Sequence, residues 1–137
     1  MPDAIPRARA LFERQIDCLK RDDRAAQAEL YADDLVYDFP FAVDRPRHIE
    51  GKDAFLAVMR PMWEAVRGRA VNVVGYREEI TETADPDFLV AEFTLVVAAP
   101  GGPVDVSFVQ FFRTRNGKIA AVREYFSPVA RSQALSD

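Results

Sequence analysis

The sequence predicts an α+β fold in a single domain, residues 1–137, with helices in the first half and an antiparallel sheet in the second. Apolar residues recur at helical spacing over most of the first half. The second half instead alternates along four segments separated by turn sequences. A chain of 137 residues, 49% hydrophobic, suffices for one domain with a core and is short for two.

Composition excludes several classes of partner. The net charge is −4 and basic residues are interleaved with acidic ones, so we expect no binding to nucleic acid or to an anionic membrane. No apolar run is long enough to span a bilayer, and the N-terminus has no signal core. The single cysteine, Cys18, cannot form an internal disulfide, which favours a cytoplasmic protein. One histidine and one cysteine argue against a zinc site. We therefore expect no cofactor, although a metal held by carboxylates alone stays open.

Three helices are predicted in the first half. They cover residues 3–20, then Asp23, a candidate N-cap, through Tyr31, and a third from Gly51 to about Gly68. Gln15 shares the apolar stripe of the first helix. It is either an amide at the helix edge with its head in water or a hydrogen-bonding group at the end of a cavity. Trp63, on the third helix, is either a core residue or part of a ligand-lining wall.

A first strand is predicted over Leu35 to Phe41. Tyr37 and Phe39 share one face, and Asp38 lies on the other, which makes Asp38 a weaker site candidate unless Pro40 introduces a bulge. The loop that follows, Ala42 to Glu50, contains the only histidine. His48 could contact a substrate as an acid or base, or simply bond the backbone.

Four strands are predicted in the second half, joined by turn sequences rich in proline, glycine, aspartate and asparagine. The strands are Ala70 to Thr83, Phe88 to Ala98, Val104 to Thr114 and Lys118 to Phe126. Such short connections predict an antiparallel meander.

The alternation on these strands predicts a polar cluster in an apolar setting. On the last strand Glu124 shares a face with apolar residues, Phe126 among them, and on the preceding strand Gln110 does the same. Glu92 adds a third polar side chain on the strand before. A carboxylate in such a place is costly to bury unless it is paired or its pKa rises. We therefore predict a small-molecule cavity around Glu124, Gln110 and Glu92. The alternative is three separate solvated residues.

The strand Phe88 to Ala98 is apolar on both faces. Such a strand needs a cover on each side, one of which the helices supply. We expect the other to be a second subunit, which makes the protein a homodimer through the outer face of the sheet.

Three segments of the sequence are typical of one known superfamily: Leu30-Tyr31-Ala32-Asp33-Asp34, Ile49-Glu50-Gly51-Lys52-Asp53-Ala54 and Arg123-Glu124-Tyr125-Phe126. They resemble the nuclear-transport-factor-2-like superfamily, which includes ketosteroid isomerases, limonene epoxide hydrolases, SnoaL-type polyketide cyclases and phenazine-biosynthesis A/B-type proteins. The resemblance implies a curved, mixed, mainly antiparallel sheet wrapped around helices to form a cone with an internal pocket. It also implies a frequent dimer through the outer sheet face.

The resemblance also suggests residue roles. By this resemblance, Phe39 stands at the position of the isomerase base. Gln15 and Gln110 stand at the positions of its two oxyanion-hole donors. By the same resemblance, Glu124 stands at the position of the final-strand carboxylate of the epoxide hydrolases. Tyr37 stands at the position of their water-holding tyrosine. Steroid isomerisation by the isomerase machinery is thus not expected, since a phenylalanine stands at the base position.

Together these observations predict an enzyme acting by acid/base chemistry, as an isomerase, cyclase or hydratase/hydrolase, on a small hydrophobic molecule. Glu124, Glu92 and Tyr37 are the predicted catalytic residues. The predicted substrate-binding residues are Gln110, Phe39, Trp63, Phe126, Gln15 and His48. The alternatives are a ligand-binding or protein-binding module without catalysis, and a filled interior in which Glu124 and Arg123 form structural ion pairs.

Overall fold

Two helices precede the sheet. The structure is a computed structural model and describes residues 4–68 and 72–127. Helix α1, Ala8–Arg21, buries its apolar stripe and ends at Asp22, whose φ of 53° turns the chain. Helix α2 is a single short segment, Arg24–Ala28. The Asp23 carboxylate accepts a hydrogen bond of 3.0 Å from the backbone N–H of Ala26, so the predicted N-cap is confirmed.

The first strand begins and ends earlier than expected. β1 covers Tyr31–Asp38, because the chain turns back at Phe39, whose N–H donates to the carbonyl of Arg47 at 2.8 Å. The expected loop also contains a short strand, β2, His48–Glu50, which pairs antiparallel with β1. Helix α3 follows directly, Lys52–Gly68.

The predicted antiparallel meander is confirmed. Its strands are β3, Asn72–Glu82, β4, Phe88–Ala98, β5, Val104–Arg115, and β6, Lys118–Phe126. The expected start of the first of these, at Ala70, lies outside the described residues. All six strands form one sheet in the order β2-β1-β6-β5-β4-β3, and β1 pairs parallel with β6. Among the described residues, this pairing places the first strand beside the last one.

The core lies between the helices and the inner face of the sheet. Phe12 of α1 is fully buried, and its ring packs edge-on against Phe93 and Phe112, with centroids 5.5 Å away in both cases. Phe55 of α3 stacks on Tyr37 of β1 at 4.4 Å. A curved mixed sheet packed on helices is the predicted fold class, which is confirmed.

Candidate active site

Glu124 and Gln110 form a cross-strand pair on the inner face of the sheet. They occupy partner positions in the antiparallel β5–β6 ladder, which places their side chains side by side. The Gln110 amide nitrogen Nε2 donates to Glu124 Oε1 at 2.7 Å. Both residues are buried, since Gln110 is 3% exposed and Glu124 is 7% exposed. A buried carboxylate is stabilised by such donors.

Tyr37 is the second donor to the same oxygen. The parallel β1–β6 register pairs Tyr37 with Val122, so its ring lies on the inner face near Glu124. Its hydroxyl donates to Glu124 Oε1 at 2.8 Å and accepts from Gln110 Nε2 at 3.3 Å. Burial raises the pKa of Tyr37 well above its ordinary value, and the negative charge of Glu124 raises it further. Tyr37 therefore stays protonated and acts as a hydrogen-bond donor.

Gln15 of α1 completes the group. A carboxylate only accepts, so Gln110 must present its NH₂ to Glu124 and its carbonyl oxygen to Gln15. Gln15 Nε2 donates to that oxygen at 3.0 Å. We call these residues, Gln15, Gln110, Tyr37 and Glu124, the carboxylate network. Two of its hydrogen bonds, from Gln110 and from Tyr37, end on Glu124 Oε1, and among the described residues Glu124 Oε2 receives no donor.

A cavity of about 150 Å³ lies against this network, between the helices and the sheet. All four network residues line it, and most of the remaining lining is apolar. The apolar part comprises Leu19, Phe55, Met59, Met62, Trp63, Val66, Phe93, Leu95, Val97, Val106 and Phe108. An apolar chamber with a few converging polar groups is the common form of a small-molecule site.

A second polar group lines the same cavity, and sequence reasoning missed it. The Arg24 guanidinium packs 4.7 Å from the centre of the Trp63 ring and donates from Nη1 to Gln27 Oε1 at 2.8 Å. Gln27 Nε2 in turn donates to the Tyr31 hydroxyl at 3.0 Å. We call Arg24, Gln27 and Tyr31 the Tyr31 chain. Its spacing, i to i+3 and then i+4, was a usable signal, but it runs across the boundary between α2 and β1.

The sequence of this chain matches a known protein family. A family model described as a SnoaL-like domain matches residues 12–122. The chain belongs to the SnoaL-like family. The predicted membership of the nuclear-transport-factor-2-like superfamily is thereby confirmed.

Individual relatives of this SnoaL-like chain agree with that assignment. An uncharacterised PhzA/B-like protein of Pseudomonas aeruginosa is 28% identical over 131 residues, which cover 93% of this chain and 89% of that protein. A proposed isomerase of Bacillus subtilis has a similar structure, with a TM-score of 0.74, 22% identity and coverage of 94% and 92% of the two chains. A Mycobacterium tuberculosis protein, solved in complex with estradiol-17β-hemisuccinate, gives a TM-score of 0.69 at 24% identity, covering 90% and 95%. The structural matches show the shared fold.

The SnoaL-like structure brings together Glu124, Gln110, Tyr37 and Gln15, and it places Trp63 in the cavity wall. The expected position of Glu92 was wrong. Glu92 is exposed on the outer face of β4, because Ala91, and not Glu92, is the β4 residue beside Gln110. The inner face of β4 is the fully apolar set that includes Phe93.

Phe39 and Phe126 were expected to form cavity walls, and this was also wrong. Neither is among the described residues that line the cavity. The side chain of Arg45, only 1% exposed, occupies the space beside them, and its guanidinium lies 4.8 Å from both ring centres. The two rings thus enclose a buried cation behind Tyr37.

His48 does not reach the cavity, contrary to its predicted contact with substrate. Its ring is exposed on β2 and lies between two carboxylates, with Nε2 3.0 Å from Glu50 and Nδ1 2.5 Å from Asp38. Asp38 shares this location on the opposite face from Tyr37. The hydrogen bonds that the ring donates, first to Glu50 and then to Asp38, raise the pKa of His48.

Two further facts concern the described part of the SnoaL-like chain. Within residues 4–68 and 72–127, no helix has the length and apolarity needed to cross a membrane. In the same ranges, no three His, Cys, Asp or Glu side chains are grouped so that they could hold a metal ion.

Proposed function

We propose that this SnoaL-like protein is an enzyme that transfers protons on a small hydrophobic ring compound bearing a carbonyl group, with Glu124 as the general base and acid. One observation carries the proposal. Glu124 lines an apolar cavity, and the donors to its carboxylate meet at Oε1. The other oxygen is thereby the one positioned to take a proton from a bound molecule.

The reaction is an enolisation followed by return of the proton. Glu124 removes a proton from the carbon next to the carbonyl, and the C–H electron pair forms a carbon–carbon double bond as the carbonyl oxygen becomes an oxyanion. The protonated Glu124 then returns the proton to the same or another carbon of the conjugated system. No other reactant is consumed, and return to another carbon yields an isomer.

Cavity size supports a compact substrate. A cavity of about 150 Å³ in another protein holds benzene, and drug-sized ligands occupy about 300–1,000 Å³. The cavity volume here, about 150 Å³, suits a single ring. The Mycobacterium tuberculosis relative in complex with estradiol-17β-hemisuccinate supports the ability of this fold to hold hydrophobic ring compounds.

Deuterium exchange tests the proposal without knowledge of the natural substrate. Cyclohexanone and cyclohex-2-enone are incubated with the protein in D₂O, and loss of the proton signals next to the carbonyl is followed by NMR. We expect the protein to accelerate exchange and Glu124→Gln to lower that acceleration by about 10² to 10⁴-fold. Glu92→Gln is the matched control, because Glu92 is exposed on the outer face, and it should exchange like the wild type. Full activity in Glu124→Gln would refute the role of Glu124.

A ligand-binding module without catalysis is the second candidate. It is favoured by the completeness of the hydrogen bonding at Glu124 Oε1, which would also suit a fixed anchoring group. Saturable ketone binding without any accelerated exchange, at every pH from about 4 to about 9, a range that includes the ordinary pKa values of glutamate and histidine, would support this candidate over the enzyme.

The homodimer is a further part of the proposal. The outer face carries an aromatic group in which the Tyr125 ring lies 5.1 Å from Phe41 and 6.1 Å from Phe111, and Phe41 is 69% exposed. An exposed aromatic group on this face supports the predicted interface, because a second copy would remove it from water. We expect a dimer in sedimentation, and Tyr125→Arg should dissociate it. Ile5→Arg, at a residue 60% exposed in the chain before α1, should not.

The cytoplasm remains the compartment we propose. The lone cysteine supports it, because Cys18 is buried on α1 and the sequence has no second cysteine with which it could pair.

A further inference from the structure

The Tyr31 chain has a direction that its partners fix. Arg24 can only donate hydrogen bonds, so Gln27 must turn its carbonyl oxygen toward Arg24 and its NH₂ toward Tyr31. The Tyr31 oxygen therefore accepts from Gln27. Its own hydrogen must point elsewhere.

The described part of the chain offers no acceptor to that hydrogen. Among residues 4–68 and 72–127, no oxygen or nitrogen accepts a hydrogen bond from the Tyr31 hydroxyl. Tyr31 is 2% exposed and lines the cavity. A buried hydroxyl donor without a partner is costly, and a polar atom of a bound ligand would satisfy it.

Tyr37 provides a direct contrast. Both phenols contact Phe55, Tyr31 edge-on at 5.0 Å and Tyr37 stacked at 4.4 Å. The Tyr37 hydrogen, however, is already donated to Glu124. The cavity is thus faced by two hydrogen-bond chains of opposite direction, one that ends in an acceptor, Glu124, and one that ends in a donor, Tyr31.

Electrostatics agree with the donor role. Burial is the main cause that raises the pKa of Tyr31, and the negative charge of Glu124 adds to it. The hydrogen bond from Gln27 and the positive charge of Arg24 act in the opposite direction. The phenol thus keeps its proton at neutral pH, while the chain that starts at a cation makes its O–H a stronger donor.

We propose that Tyr31 is a second catalytic residue, which donates a hydrogen bond to the carbonyl oxygen of the substrate while Glu124 removes the proton from the adjacent carbon. Arg24 and Gln27 are positioning residues that act through Tyr31. This inference rests on the proposed function and names the group of the substrate that the Tyr31 side of the cavity recognises.

The step balances without a further reactant. When Glu124 takes the proton, the electron pair of the broken C–H bond moves into the new double bond, and negative charge collects on the former carbonyl oxygen. The Tyr31 hydrogen bond stabilises that charge and its proton stays on the phenol. Donors aimed at an oxyanion contribute most in the transition state, so removal of one costs about 10² to 10³-fold in kcat.

The test uses cyclohex-2-enone labelled with ¹³C at the carbonyl, bound to the full chain and observed by NMR. We expect Tyr31→Phe to move the carbonyl signal upfield from its wild-type bound position and to lower the kcat of deuterium exchange by about 10² to 10³-fold, with a smaller change in KM. Tyr37→Phe should retain the wild-type carbonyl shift, because the hydrogen it loses belongs to Glu124. Gln27→Met, which keeps the phenol, should give an intermediate shift.

Tyr76→Phe is the control for the loss of a phenol hydroxyl outside the cavity. Tyr76 donates to the exposed Glu78 and is not among the described residues that line the cavity, so exchange should be unchanged. If Tyr31→Phe binds the ketone with the wild-type carbonyl shift and exchange rate, the inference is overturned, while a loss of exchange in Glu124→Gln would still uphold the proposed function. If the wild type binds no ketone, or Glu124→Gln exchanges normally, both fall.

Discussion

The amide of Gln110 and the carboxylate of Glu124 face each other across the β5–β6 ladder, with Nε2 2.7 Å from Oε1. The two strands adjoin in the chain through a tight turn, so this pair belongs to a single hairpin. Tyr37 and Gln15 contact it from distant segments of the chain. The polar centre of the cavity is thus built on a rigid pair of strands.

We expect Gln110→Met to lower the free energy of unfolding at pH 7 by about 1–3 kcal/mol, because the buried carboxylate loses a donor that methionine cannot replace. Urea denaturation measures the change. Glu92→Gln, at an exposed position on β4, should stay within about 0.5 kcal/mol of the wild type. Equal stability of Gln110→Met and the wild type would show that this hydrogen bond makes no net contribution to the free energy of unfolding.

Phe12→Ala should lower the free energy of unfolding by about 3–5 kcal/mol. Phe12 is fully buried and contacts two other rings, so its removal leaves a cavity between α1 and the sheet. Val43→Ala, at a residue 83% exposed, is the control and should change stability by less than about 0.5 kcal/mol. Thermal and urea unfolding both report the difference, and similar losses in the two variants would contradict it.

Gly117→Ala should cost about 1–2 kcal/mol, since the φ of Gly117 is +77° and a side chain there is strained. A new Cβ would also lie 3.2 Å from the Ile5 side chain. Gly101→Ala is the matched control in another hairpin turn, where a Cβ meets nothing within 4 Å and no positive φ is needed. A loss of stability in both variants alike would rule out backbone strain as the cause.

His48 should titrate with a pKa above its ordinary value of about 6.5, because Glu50 and Asp38 hold its protonated ring. The stabilisation is therefore complete below about pH 6.5 and is lost as the pH rises through the folded-state pKa. His48 is the only histidine, so one NMR titration of the ring protons measures it. Glu50→Gln should lower the pKa, and a value at or below 6.5 in the wild type would contradict the ion pairs.

Local sequence pattern predicted the meander and the adjacency of Gln110 and Glu124, because a period of two and a short turn determine which side chains share a face. The same rule failed for Glu92. Alternation divides a strand into two faces, but when both are apolar it does not say which one is inward. The better guide to the inward face of β4 was composition, because the set of alternate residues that includes Phe93 is fully apolar.

Other parts of the site depend on information that is not local. The parallel pairing of β1 with β6 brings Tyr37 to Glu124 across 87 residues of sequence, and no pattern within either strand specifies it. The spacing of Arg24, Gln27 and Tyr31 was a local signal, although α2 ends at Ala28 and Tyr31 starts a strand. What makes these residues part of the site is the cavity, which distant helices and strands form together and which no local pattern specifies.

The parallel contact between β1 and β6 also affects how the chain acquires its fold. In the sheet, β1 lies between β2 and β6. β1 is synthesised long before β6, so one long edge of β1 stays unpaired on the ribosome until β6 has been made. Pairings so distant in sequence form slowly, and a nascent chain in that state is prone to associate with others. Ribosome-bound intermediates of this protein should therefore depend on chaperones until β6 emerges, and a chain stopped at the β5–β6 turn should accumulate as aggregate.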